Sequence, residues 1–244
     1  MAQTEPLFIA DAYLTQAQAT VLGQTEEGGI LVDRSVFYAA GGGQPGDTGW
    51  LDWDGGTLAV SDTIKSGRDG IALMPEAGAP LPPVGSVVHQ RLDWGRRHRL
   101  MRMHTCLHLL SVVVPLPVSG GAIADGKGRL DFNMPDAPGD KEALQHSLQS
   151  LIDQNLVVSE TWITDAELDA NPGLVKTMSV VPPRGVGRIR LVRIGPQDAQ
   201  IDLQPCGGTH VAATAEIGEI RIGKIEKKGR QNGRIYVHLS DGTF

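Results

Sequence analysis

Positive charge is the first thing this sequence is short of. Its 244 residues carry 28 Asp and Glu against 22 Lys and Arg, a formal net charge of −6. A general nucleic-acid binder is usually basic overall, so contact with a polyanion has to come from local patches. Cysteine is nearly absent as well, with Cys106 and Cys206 the only two. That rules out a disulfide framework and makes a reducing, cytoplasmic setting the expectation. The first ten residues have neither a basic stretch nor an apolar core, so no secretory signal is expected there. The longest apolar run, around residues 107–118, is too short to span a bilayer and contains Pro115 and Pro117. No membrane association and no obligate protein partner are indicated.

What is abundant is turn chemistry: 31 Gly and 15 Pro, against only 5% aromatic residues. Frequent turns favour many short strands. Residues 1–90 read as β-rich, with Ile30-Leu31-Val32, Thr57 to Val60 and Ser86-Val87-Val88 as short β-prone runs between Gly, Asp and Pro clusters. Such spacing predicts a small barrel or sandwich. The pattern changes near Asp93. From Trp94 to Val113 there is no proline, and Leu100, Met103, Leu107 and Leu110 recur at helical spacing, so a helix is expected that ends at Pro115. A second amphipathic helix is expected over residues 140–153, with Leu144, Leu148, Leu151 and Ile152 on one side. Strands are expected at 130–134, 189–194, 201–203, 220–225 and 235–239, the last two joined by a hairpin turn through Gly229 to Gly233. The fold class is therefore α+β: a small N-terminal β-barrel (1–90), then an α+β domain with a mainly antiparallel sheet (91–244).

The first helix carries His104 and His108. At i, i+4 both imidazoles lie on one face, one turn apart, within reach of a shared ion. Further on stands Cys206-Gly207-Gly208-Thr209-His210, where two glycines let the backbone turn so that a thiolate and an imidazole converge. Either pair alone is weak. Together, in a chain with seven histidines and two cysteines, they point to a metal. One sulfur and three nitrogens suit tetrahedral zinc, not magnesium or calcium. Four protein ligands usually mean a structural zinc, whereas a catalytic site keeps a position open. Three alternatives follow: one ligand is weak, the site expands to five-coordinate, or the zinc only positions a substrate. Cys106 falls on the other side of the helix and reads as a small buried hydrophobe.

Three arginine- and lysine-rich clusters stand out in this acidic chain: Arg91, Arg96, Arg97, Arg99 and Arg102; Arg184, Arg188, Arg190 and Arg193; and Lys224, Lys227, Lys228, Arg230 and Arg234. Guanidinium forks suit phosphate oxygens, and Arg97 and Arg102, from the cluster just before His104, are expected to bind substrate. The loop from Ala40 to Gly49 contains Gly41, Gly42, Gly43 and Gln44. It lacks P-loop spacing and no lysine follows it. It is either a tight barrel turn or bare backbone that approaches a substrate.

His104-Thr105-Cys106-Leu107-His108 with Cys206-Gly207-Gly208-Thr209-His210 resembles the editing domain of alanyl-tRNA synthetase. The glycine-rich loop and the stretch from Pro182-Pro183-Arg184-Gly185 to His210 resemble, more specifically, free-standing alanyl-tRNA editing proteins of the AlaX type, medium-length subgroup. The resemblance covers nearly the whole chain. It implies a barrel like one found in translation elongation factors, followed by the editing domain. It also implies zinc on His104, His108, Cys206 and His210. Gly41, Gly42, Gly43 and Gln44 would lie over the editing pocket, and alanine-specific tRNA carrying serine, or glycine, would be the substrate. Leu107 stands where many synthetase editing domains have a threonine, which leaves Thr105 and Thr209 as candidates for sensing the substrate hydroxyl. Two other readings remain: a non-catalytic, zinc-stabilised tRNA-binding module, and an editor of threonine-specific tRNA.

Overall fold

The computed structural model describes residues 3–67, 70–134, 140–178, 187–228 and 232–240. The chain divides into two compact units, Met1–Arg99 and Leu100–Phe244. The expected change at 90/91 falls inside the last strand of the first unit, which runs on to Leu92.

The first unit comprises β1 (Glu5–Pro6), a helical turn α1 (Leu7–Ala10), β2 (Gln16–Gln24), β3 (Ile30–Val32), β4 (Arg34–Ser35), β5 (Gly49–Trp53), β6 (Gly56–Ser66), β7 (Gly70–Pro75) and β8 (Val87–Leu92). Six of these strands close a barrel in the order β2-β3-β7-β6-β5-β8. All of its pairings are antiparallel. Val21, Ile30, Val32, Leu51, Leu58, Val60, Leu73 and Val88 fill the interior. A closed sheet has no open edge, so these short strands need no partner beyond one another.

The glycine-rich loop is a two-residue turn. Gly41 and Gln44 exchange backbone hydrogen bonds of 3.0 Å in both directions, and Gly42 and Gly43 between them have φ of 58° and 83°. Positive φ at both central positions is the geometry that glycine adopts without strain. Further along, Asp47 is completely buried, as is Arg97. Asp47 Oδ2 accepts from Arg97 Nε at 2.8 Å, from the Arg97 terminal nitrogen, and from the Tyr38 amide at 2.6 Å. The remaining guanidinium donors go to the carbonyls of Ala12, at 3.0 Å, and Val36, at 2.8 Å. Arg97 was expected to bind substrate, but its donors are spent inside the barrel unit and it offers no surface to a phosphate.

The second unit carries most of helix α2 (Trp94–Val113), then β9 (Val118–Ala124), β10 (Lys127–Asn133), α3 (Lys141–Asp153), β11 (Val158–Ile163), α4 (Asp165–Ala170), β12 (Ile189–Ile194), β13 (Asp202–Pro205), β14 (Ile220–Lys227) and β15 (Asn232–Leu239). Asp93 starts α2 by accepting the Arg96 amide at 3.0 Å, an N-cap. From Leu100 to Ser111 every residue but Arg102 is buried. The stripe read from the sequence is one side of a helix enclosed on all sides.

Two antiparallel sheets form this unit, β14-β15-β10-β9 and β11-β12-β13. Helix α2 closes on β10 at Gly128, where a Cβ would come within 2.7 Å of Met103 Sδ. Helix α3 is capped by Asp140 and buries Leu144, Leu148 and Ile152. Its Gln145 and Gln149 accept the β14 amides of Ile222 and Ile220, at 2.9 and 3.1 Å, which covers a strand edge. The hairpin turn at 229–231 and the Pro182 to Gly185 stretch lie outside the described residues. No described helix is long and apolar enough to cross a membrane.

Removing Arg97 would strand a buried carboxylate. Arg97→Met is expected to destabilise the chain by about 3–5 kcal/mol, as for a buried pair that loses one partner. Urea unfolding of the variant against the parent chain measures this, and a loss below 1 kcal/mol would contradict the assignment.

Candidate metal centre

His104 and His108 project from one face of α2, and their ring centroids lie 5.2 Å apart. The other two groups come from the end of β13. That strand pairs with β12 as far as Pro205, and the next amide, Cys206, donates to the Arg190 carbonyl at 3.2 Å. The chain then turns through Gly207 and Gly208 and returns at His210. Its ring centroid is 4.2 Å from that of His104 and 4.6 Å from that of His108. One donor atom from each of His104, His108, Cys206 and His210 falls within 4.8 Å of all the others. The four residues expected from sequence therefore converge.

The set fits a tetrahedral ion. Bonds of about 2.0 Å to nitrogen and 2.3 Å to sulfur place donor atoms roughly 3.3–3.6 Å apart. Cys206 Sγ lies 3.5 Å from His104 Nε2 and 3.2 Å from His210 Nε2. The three imidazoles are only 6–7% exposed. Burial raises the Cys206 thiol, but the imidazoles of His104 and His210 outweigh it, and the group sits well below the usual thiol range. The Gly208 amide, 3.4 Å from Sγ, supports the thiolate. Burial and the neighbouring His104 push His210 down to about 3, so it is a neutral base. Burial also lowers His108, but hydrogen bonds to Asp202 and Cys206 override it and hold the ring at about 9.

A ring of supports surrounds the four donors. Asp202 Oδ2 lies 3.0 Å from His108 Nδ1 and accepts from Gln204 Nε2 at 2.7 Å. Its Oδ1 accepts from Lys176 Nζ. Thr105, fully buried, donates its hydroxyl to the Met101 carbonyl and stands 3.1 Å from His210 Nδ1. The Val211 amide donates to the same oxygen at 3.3 Å. As placed, Thr105 braces His210, and its one proton is already used. Thr209 is buried in the same turn. Arg190 donates to the carbonyls of Cys206 at 2.9 Å and Gly208 at 2.8 Å, and pairs with Glu160. It was grouped with phosphate-binding arginines but holds the Cys206 turn instead. Arg102 donates to the Ile217 carbonyl at 3.0 and 2.6 Å. Cys106 is buried, and desolvation pushes its thiol up to about 12, as an inert residue requires.

Asp202, Gln204 and Lys176 were missed from sequence. A signal was available: Asp202 and Gln204 occupy the inward positions of a strand, where Leu203 between them is the expected core residue.

Residues 189–236 match the family described as the threonyl and alanyl tRNA synthetase second additional domain, and residues 7–96 match the class II (A) tRNA synthetases. An alanine–tRNA ligase of Pyrobaculum arsenaticum is 37% identical over 234 residues, which is 92% of this chain and 26% of that protein. The chain thus spans about a quarter of the length of the ligases it matches. The alanyl-tRNA editing protein AlaX-M of Methanosarcina mazei is 32% identical over 248 residues, 98% of this chain and 97% of that protein. Its counterpart in Methanosarcina acetivorans is 32% identical across 98% of this chain and all of that protein. Similarity of this degree, running the full length of both partners, places the chain in the family of AlaX-M alanyl-tRNA editing proteins.

Proposed function

We propose that this chain edits alanine-specific tRNA in trans in the cytoplasm, hydrolysing the ester of Ser-tRNA(Ala) and of Gly-tRNA(Ala) at a zinc site formed by His104, His108, Cys206 and His210. The observation that carries the reading is the convergence of those four donors in a chain matched end to end by proteins named as alanyl-tRNA editors. The need for such an enzyme is physical. A synthetase pocket shaped for alanine rejects serine, one hydroxyl larger, or glycine, one methyl smaller, by only about 10–200-fold. A second site that destroys the error supplies the remaining fidelity.

In hydrolysis the acyl–oxygen bond breaks, water gives its hydroxyl to the acyl carbon, and its proton goes to the ribose oxygen. Bound zinc would supply Lewis-acid chemistry for that exchange. The protein's own residues do the rest. Asp202 and Thr105 fix the imidazoles, and Arg190 sets the Cys206 turn. The turn tip at Gly42 and Gly43 is bare backbone with open space beyond Gly42, as contact with substrate requires. With Arg97 and Arg190 committed internally, the third cluster suits tRNA phosphates best: Lys224, Lys227 and Lys228 are exposed, and the pairs that Lys224 and Lys228 make with Glu226 lie at the surface.

The closed set of four protein ligands favours one rival, a structural zinc in a non-catalytic tRNA-binding module. The family match at 189–236, shared by threonyl and alanyl enzymes, keeps a threonine-tRNA editor as the other. Release of labelled serine from Ser-tRNA(Ala) is expected to be rapid. It should be lost with a zinc chelator and lowered at least 100-fold by Cys206→Ala, while Ala-tRNA(Ala) stays intact. Spontaneous-rate release with tRNA still bound establishes the module, and preference for mischarged threonine tRNA establishes the second rival.

Zinc uptake should also displace the proton that His108 carries. Cys206 is already a thiolate and His210 already neutral, while His108, held at about 9, must give up its Nε2 proton. Near pH 8 about one proton per zinc is expected from His108, and affinity should rise with pH until that ring has titrated. Calorimetry in two buffers of different ionisation enthalpy reads the number.

A further inference from the structure

Asp202 is an acid almost completely enclosed by protein, at 2% exposure, and it is not one of the four converging donors. Both of its oxygens are in use. Oδ1 takes Lys176 Nζ, and Oδ2 takes Gln204 Nε2 at 2.7 Å and faces His108 Nδ1 at 3.0 Å. Gln204 Nε2 also lies 3.0 Å from His108 Nδ1. The carboxylate side of this triangle favours a proton on Nδ1. An ionised carboxylate only accepts, so a 3.0 Å approach to a ring nitrogen requires a proton on that nitrogen. Gln204 and His108 are then two donors that share one oxygen. A bare Nδ1 could accept from Gln204 Nε2, but its lone pair would still face the Asp202 carboxylate oxygen at 3.0 Å in a buried space, which is costly.

We propose that Asp202, anchored by Lys176 and Gln204, is the positioning residue that locks His108 as the Nδ1–H tautomer, so that Nε2 is presented to the metal. This rests on the zinc reading above. The Lys176 ammonium balances the carboxylate charge, and the acid stays ionised without a metal to neutralise it. Lys176 reaches Asp202 from a segment fixed elsewhere: its carbonyl accepts the Val118 amide at 3.0 Å, and the Met178 amide donates to the Val118 carbonyl at 2.8 Å. The lock therefore joins α2, β13 and the strand edge at Val118. His210 is held in the same tautomer by a different device, the Thr105 hydroxyl, whose proton goes to Met101. Two of the three histidines thus have their outer nitrogens assigned by separate partners.

The test is zinc affinity of the full chain, measured by competition with a chromophoric chelator, with the cobalt-substituted spectrum as a second readout. Asp202→Ala should weaken zinc binding about 10–100-fold, the usual effect of removing an outer partner of a metal-bound histidine. Its cobalt ligand-field bands should shift, while the thiolate charge-transfer band of Cys206 remains. Asp202→Asn keeps one oxygen for His108 and should recover part of the loss. Lys176→Met leaves Asp202 in place at a partly exposed position, and should cost several-fold even if Asp202→Ala does not fold. Zinc bound by the parent chain and equally well by Asp202→Asn and Lys176→Met overturns the inference alone. No zinc bound by the parent chain overturns the zinc reading on which it stands.

Discussion

Donor atoms of three imidazoles and a thiol lie within 4.8 Å of one another, the imidazoles almost out of reach of solvent, and the surrounding residues of the second unit make that arrangement tolerable. Polar groups that close, if left to themselves, would repel and lack hydrogen-bond partners. Each is given a role. One ring is neutral, one is held cationic by an acid, and the thiol is ionised. The outer nitrogens of His108 and His210 have fixed partners, and the Cys206 turn is stapled by Arg190. The convergence of three imidazole nitrogens on one thiolate sulfur is the physical reason for reading the cluster as a metal site and not as a buried histidine core.

The barrel unit meets a similar demand by a different route. Arg97 and Asp47 bury opposite charges completely and hydrogen-bond to backbone groups from three other positions, Ala12, Val36 and Tyr38, although Asp47 Oδ1 has no partner among the described residues. Such a pair adds little net stability over an apolar substitute, but breaking it is costly. Its consequence is geometric. It ties the loop after the glycine turn to the first turns of α2, so the turn is held as a fixed feature of the barrel.

What could be read from sequence was local. The i, i+4 histidines, the Cys-Gly-Gly-Thr-His turn, the helices at 94–113 and 140–153 and the alternating strands all depend on spacing within one element. They emerged where expected. What sequence could not reveal was which charges turn inward. Arg97 on α2 finds Asp47, in the loop before β5, fifty residues earlier, and Arg190 finds Glu160 thirty residues earlier across the β11–β12 pairing, and no local pattern encodes either. Clusters of arginine look alike whether they face solvent or brace a turn. The same holds for Thr105, whose hydroxyl seemed free for substrate until its partners on α2 and after His210 were seen.

The centre is asymmetric in its cover. Its histidines are enclosed, but Cys206 is only partly covered, and Gly207 beside it is exposed, with nothing within 4 Å of where a side chain would be. The Cys206–Gly207 edge is therefore the least covered part of the centre. That edge is also the one Arg190 holds in place, from behind, through the carbonyls on either side of Gly207. A backbone that is exposed and yet braced at this edge is what the proposed editing of a small acyl group would use.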